Sequence, residues 1–368
     1  MPVEVVAERA AERLPEAIES IFAKFAPRSF NGMKVLVKPN IVGPSPGDSG
    51  IVTHPEVVRA VVEACFDRGA KVFVGDNPGG INRSTQHTGK VTGILDASLG
   101  CFVPIADRVV EVPARSEFAD TFVVSRLVLE ADYVINLPLF KTHMMMGLTG
   151  ALKNTFGYIA GACKAQLHLK APSRRDFAAV LADVHSVRPP NLHIMDALTV
   201  MEGNGPSVGG HVRPYGWILG ATDALALDTT MARLMAFDPL QVPLFVVAKE
   251  RGMGAFDAED IALIGSPPAI SDFRPPTTYQ AVSRDEKIAV SQQIYPGDMM
   301  SVRVVTKPQL QQEKCLACGD CETNCPPQAL HLDPFPTVDD NCIACYCCVE
   351  LCSEGALEVP DIEAFQRY

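Results

Sequence analysis

Nine of the twelve cysteines fall within the 38 residues from Cys315 to Cys352, and their spacing constrains the chain more than any other feature. Cys315, Cys318, Cys321 and Cys325 follow a C-x2-C-x2-C-x3-C pattern, which Cys342, Cys345, Cys348 and Cys352 repeat at a constant offset of 27. Ala329-Leu330 recurs as Ala356-Leu357 at the same offset, so the segment is an internal duplication whose halves are expected to pack as a pseudo-two-fold pair. Three thiolates at two-residue gaps can turn inward around one centre, while the fourth, after a wider gap, reaches the opposite side of a small domain. With Pro326 following the first run, this is the pattern of bacterial 4Fe-4S sites in which the fourth cysteine serves the other cluster.

The expected ligand sets are therefore Cys315, Cys318, Cys321 and Cys352 for one 4Fe-4S cluster, and Cys342, Cys345, Cys348 and Cys325 for a second. Paired four-cysteine zinc sites would join CxxC knuckles over longer spacers and have no use for a third cysteine at the same interval. Cys347 lies outside the repeat and reads as a packed free thiol or an exchanged ligand. Ser353 stands where the second half would carry the proline.

Charge separates the same segment from the rest. The formal net charge is −11, and residues 313–368 hold eleven Asp and Glu against Lys314 and Arg367. A basic nucleic-acid footprint is absent, and an anionic membrane would repel this tail. Met1 to Ala26 carries five glutamates, with neither the basic region nor the apolar stretch of a secretory signal, and no run of about 18 apolar residues offers a membrane span. A reducing cytoplasm is expected, where clustered cysteines read as metal ligands.

In the longer N-terminal part, Val3, Val6, Ala10, Leu14, Ala17, Ile21 and Phe25 predict one amphipathic helix, kinked or split by Pro15. Met33 to Pro39 predicts a strand, Thr53 with Glu56 a capping box, Val57 to Phe66 a helix, and Ala70 to Gly75 the next strand. Strands are also expected at Tyr133–Leu137, Leu192–Met195 and Trp217–Leu219, with helices at Arg175–Val187 and Ala224–Phe237. This alternation predicts an α/β domain over residues 1–306, a mostly parallel sheet with helices on both faces, followed by a small α+β domain over 307–368. The Pro-rich stretch Ser266–Pro308, with β-like pieces Lys287–Val290 and Ser301–Val305, reads as an edge hairpin before a linker.

Polar residues gather where the predicted strands end, the usual place for ligands in parallel sheets, although turns call for Asn, Asp and Gly as well. Lys38, Lys141 and Lys153, each beside an amide or hydroxyl partner (Asn40, Thr142, Asn154), suit a carboxylate or phosphate. With Asn136, they form the candidate anion site. His143, two residues after Lys141, and Asp76 are the candidate proton-handling groups. Asp76 with Glu202 could form a metal or proton pair, and Met144–Met146 read as core or pocket wall. His54 reads as a helix-start residue. Gly203-x-Gly205-x-x-x-Gly209 lacks the glycine spacing of a dinucleotide loop, and no Walker loop is present.

The tail resembles a two-cluster bacterial ferredoxin, which implies low-potential one-electron transfer and docking to a redox protein of ferredoxin or flavoprotein type. The segments Lys38-Pro39-Asn40, Thr53-His54-Pro55-Glu56, Gly75-Asp76-Asn77-Pro78-Gly79, Asn136-Leu137-Pro138 with Lys141-Thr142-His143, Gly150-Ala151-Leu152-Lys153-Asn154 and Met201-Glu202-Gly203-Asn204-Gly205-Pro206 resemble domain-of-unknown-function family 362 over roughly residues 30–265. That resemblance implies a frequent C-terminal ferredoxin module and no general activity. The expectation drawn from both parts is an iron-sulfur oxidoreductase acting on a small anionic substrate. Its alternatives are a non-catalytic electron-transfer subunit and a reductive maturation factor.

Overall fold

The strand Lys34–Lys38 shows how the fold is built: Val35 and Val37 enter one buried apolar cluster and Leu36 another, so both faces of the strand are covered. Tyr133–Asn136 divides in the same way, with Tyr133 and Ile135 on one side and Val134 on the other. The computed structural model describes residues 1–80, 84–279 and 307–359. Among them is a nine-stranded sheet whose main order is Lys71–Val74, Lys34–Lys38, Tyr133–Asn136, Leu192–Gly203, Gly210–Ala221, Val3–Arg9 and Ile261–Ile264. Neighbours are parallel through Leu192–Gly203, and the antiparallel members are Gly210–Ala221 with its two partners. Helices Leu14–Phe25 and Pro55–Asp67 cover one face; Arg174–Val187, Ala224–Leu234 and Pro243–Glu250 cover the other. The α/β class with a mixed, mostly parallel sheet stands. No helix among the described residues is long and apolar enough to cross a membrane.

Three expectations change. The N-terminal helix begins only at Leu14, with Pro15 in its first turn, and Val3–Arg9 is a strand. Val5 and Ala7 face one cluster while Val6 and Ala10 face the other, so the same apolar residues satisfy both periods and burial on two sides decides for the strand. The N-cap of Pro55–Asp67 is His54, whose Nδ1 accepts from Glu56 N at 3.2 Å; Thr53 is not the cap. Leu192 and Ala221 bound a long hairpin rather than two short strands, because the polar residues within it are paired across the ladder. The pieces Lys287–Val290 and Ser301–Val305 lie outside the described residues.

In the tail, the repeat is visible in the backbone. Ala317, Gly319 and Gln328 take positive φ, and so do Ala344, Tyr346 and Gly355, each 27 residues on. Helix Asp320–Thr323 corresponds to Cys347–Leu351. The two halves interlock: Gln309–Leu310 pairs with Leu357–Glu358, and Leu330–Leu332 with Pro336–Val338. Tyr346, Val349 and Leu357 join the larger apolar cluster under the main sheet.

Candidate functional site

At the carboxyl end of Lys34–Lys38 the chain places a buried ion pair. Lys38 Nζ lies 2.8 Å from Asp76 Oδ1 and donates to Pro39 O at 3.1 Å. Asp76 Oδ1 also accepts from Asn77 N, and Oδ2 accepts from Ile41 N at 2.8 Å. Asp76 is thus a charge anchor with both oxygens engaged. Glu202, its suggested partner, instead binds Arg213 at 2.6 Å, so the Asp76–Glu202 pair is not formed.

Lys141-Thr142-His143, expected just beyond the end of the strand Tyr133–Leu137, is the second half of another buried strand, Leu139–His143. This strand lies parallel to Leu192–Gly203 and turns back through Gly147–Leu148. Met144–Met146 at that turn are core. Lys141 Nζ donates to Asn40 Oδ1 at 2.9 Å and to Ile51 O at 2.6 Å. From there a relay of side-chain amides runs inward. Asn40 donates to Asn154 Oδ1 at 2.8 Å, Asn154 to Asn136 Oδ1 at 2.7 Å, and Asn136 to Ala151 O and to His193 Nδ1. Burial holds His193 neutral, down to about 3, which leaves its Nδ1 free to accept. Asn40 therefore serves Lys141 rather than Lys38.

Thr53 ties the base of this relay, since its Oγ1 accepts from Asn40 N and donates to Leu137 O, both at 2.8 Å. Thr53→Val should lower stability by about 1 to 3 kcal/mol per stranded group, measured by denaturant unfolding. An unchanged midpoint would mean that water replaces the hydroxyl.

His143 Nδ1 accepts from Met145 N at 3.1 Å and Met146 N at 3.3 Å, which leaves the proton on Nε2, facing Glu350 Oε1 at 3.1 Å. Burial first, then Lys153 and Lys141, hold its pKa well below the ordinary value. The imidazole is a fixed, neutral N–H donor, in place of the expected group titrating near neutrality.

These groups border a crevice of about 960 Å³, a figure that includes space open to solvent. Asn40, Asp76, Lys141, His143, Lys153 and Asn154 line it, whereas Lys38 and Asn136 stand behind the wall and act through Asp76 and Asn154. Lys153 makes no hydrogen bond or close ion pair among the described residues; burial lowers its pKa, and Glu350 opposes that most. Sequence reasoning missed Lys164, on helix Gly161–Lys170, whose Nζ donates to Asn77 O at 2.5 Å. It also missed the tail's share of the wall, Asn324, Cys347, Glu350 and Leu351. A signal existed: Cys347 and Glu350 stand where the first half has Asp320 and Thr323, so the repeat is broken where the tail meets the crevice.

The eight repeat cysteines divide between two further cavities. Cys315, Cys318, Cys321 and Cys352 line one; Cys325, Cys342, Cys345 and Cys348 line the other. The two fourth cysteines are held alike, Cys325 Sγ accepting from Ala329 N at 3.2 Å and Cys352 Sγ from Ala356 N at 3.3 Å. Among the described residues no three Cys, His, Asp or Glu side chains close on a point as a single metal ion requires. Each of the two cavities thus brings four thiol side chains to its wall.

A similar chain is the thylakoid-associated protein sll1697 of Synechocystis sp. (strain ATCC 27184 / PCC 6803 / Kazusa), 32% identical over 231 residues, 62% of this chain and 71% of the relative. Among solved structures, the lactate racemase apoprotein of Thermoanaerobacterium thermosaccharolyticum superposes with a TM-score of 0.40 at 12% identity, over 63% of this chain and 57% of that one. The model of the family described as "Domain of unknown function (DUF362)" matches residues 35–233, which contain every lysine of the crevice, and the chain belongs to that family.

Proposed function

We propose that the protein is an iron-sulfur oxidoreductase in which two 4Fe-4S clusters in the tail serve a small anionic substrate in the crevice. One observation carries the reading: helix Cys347–Leu351 contributes Cys347, Glu350 and Leu351 to the crevice wall and Cys348 to the neighbouring four-cysteine cavity. Leu351 also lines the cavity of Cys315, Cys318, Cys321 and Cys352. Both candidate cluster sites therefore adjoin the crevice, whereas a carrier that only exchanges electrons with partners needs no such internal face.

The residues that would hold the clusters are the two sets of four cysteines, and the clusters would supply single electrons of low potential. The chain's own residues do the rest. Lys141, Lys153 and Lys164 bind and orient the anion, Asn40 and Asn154 fix Lys141 and the floor, and Lys38–Asp76 holds that floor in place. His143 presents a permanent N–H beside Glu350, while Ile41, Val42, Phe156 and Leu351 keep water from the inner wall. A redox protein docking on the acidic tail would be steered by charge, and salt should slow its association.

Anaerobically prepared protein should contain about eight iron and eight acid-labile sulfide per chain. Cys325→Ala should damage the cluster of Cys342, Cys345 and Cys348, and Cys347→Ala should spare both, as read by EPR of the reduced variants. About four iron, or stoichiometric zinc, would overturn the assignment. Mass spectrometry of the same preparation should find a small anion at one per chain, altered after reduction of the protein. Its absence, together with tight co-purification of a large redox enzyme, would favour the electron-transfer subunit or the maturation factor.

A further inference from the structure

Around the crevice, cations outnumber carboxylates. Lys141, Lys153 and Lys164 line it and Lys38 stands directly behind; the carboxylates are Asp76 and Glu350. Asp76 is bound to Lys38, which leaves three lysines and one carboxylate, Glu350, delivered by the tail. Lys141 is fully buried and its acceptors are neutral: an amide oxygen and backbone carbonyls. Lys164 has a carbonyl partner and Lys153 has none among the described residues. Each lysine comes from a different element, the strand Leu139–His143, the helix Ala151–Asn154 and the helix Gly161–Lys170. Three separately anchored lysines converging on one cavity are costly to hold charged unless an anion balances them.

We propose that the crevice takes a ligand with two negative charges, a phosphoryl group or a dicarboxylate, held among Lys141, Lys153 and Lys164, with Glu350 as the tail's own counter-anion at the site's edge. The inference rests on the anionic crevice of the preceding reading and adds the charge of the ligand and two residues, Lys164 and Glu350, that it selects by.

The lysines' charge depends on what fills the site. Burial, and then Lys153, bring Lys141 down to about 7 against the pull of Glu350 and Asp76. Burial brings Lys164 to about 8, with Asp76 opposing and Lys38 and Lys153 assisting. A bound dianion favours the charged lysines and raises both values. Binding should therefore take up protons near pH 8, and affinity should fall as pH rises through that range.

The test is calorimetry on the cluster-loaded full-length protein with three probes, inorganic phosphate, succinate and acetate, in buffers of different ionisation enthalpy. Phosphate or succinate should bind at least about 30-fold more tightly than acetate, and whichever of the two binds identifies the source of the charge. Lys164→Gln should remove most of that preference, and Glu350→Gln, by deleting the competing carboxylate, should tighten dianion binding about tenfold. Iron content should not change in either variant. Equal affinity for acetate and the dianions, or dianion binding without proton uptake, would overturn the proposal. So would lysine variants that shift cluster potentials in a protein that binds none of the probes, since the lysines would then serve the clusters. Dianion binding by anaerobically prepared protein that contains no iron would leave this inference standing and defeat the redox reading.

Discussion

Gly157→Ala should cost the protein about 3 to 5 kcal/mol, the penalty typical of breaking a buried ion pair. A Cβ on Gly157 would sit 1.9 Å from Asp76 Oδ1 and 2.6 Å from Lys38 Nζ, both in the interior. Neither group can retreat: Asp76 also accepts from Ile41 N and Asn77 N, and Lys38 lies at the end of a central strand. The alanine must push the pair apart and leave a buried lysine without its counter-charge. Gly161→Ala is the control, because the nearest atom to its Cβ would be Gly80 O at 3.3 Å. Denaturant unfolding should separate the two variants clearly, and similar midpoints would show that the pair contributes little.

Removing iron from the proposed clusters should unfold the tail. Its described helices are four and five residues long and its strands two or three, far below the length of about 12 residues at which a helix becomes marginally stable alone. In such metal-held domains the binding energy is the folding energy, on the order of 10 kcal/mol. Chelation should make residues 315–352 sensitive to protease while the larger unit, whose core helices run to 14 residues, keeps its cooperative transition. A tail that stays protease-resistant after complete loss of iron would mean that Tyr346, Val349 and Leu357 secure it through the shared core alone.

Local chemistry was legible in the sequence; chemistry assembled across the fold was legible only in part. The cysteine repeat could be read because each run is a local pattern, and the structure gathers those cysteines around two cavities. Lys141 was readable as a special lysine but not as a buried one, because its setting depends on Asn40, Ile51 and Pro206, which are 101, 90 and 65 residues away. The strand Val3–Arg9 was hidden because Val3, Val6 and Ala10 satisfy a helical period while Val5 and Ala7 satisfy the other face of a strand. Lys38 and Asn136 were drawn to the site, yet they stand one layer behind its wall. Sequence position cannot separate a residue that touches a ligand from one that positions its neighbour.

Helix Cys347–Leu351 makes the tail less interchangeable than its repeat suggests. Five residues carry both the sulfur of Cys348 for one cavity and three side chains of the crevice wall, so the two cannot be varied separately. An engineer who grafted residues 307–368 onto another scaffold, or exchanged them for a generic tail with the same cysteine spacing, would preserve the thiolates and lose Glu350 from His143 and Lys153. In this protein the second half of the duplication brings Cys347, Glu350 and Leu351 to the crevice wall, at positions where the first half carries Asp320, Thr323 and Asn324.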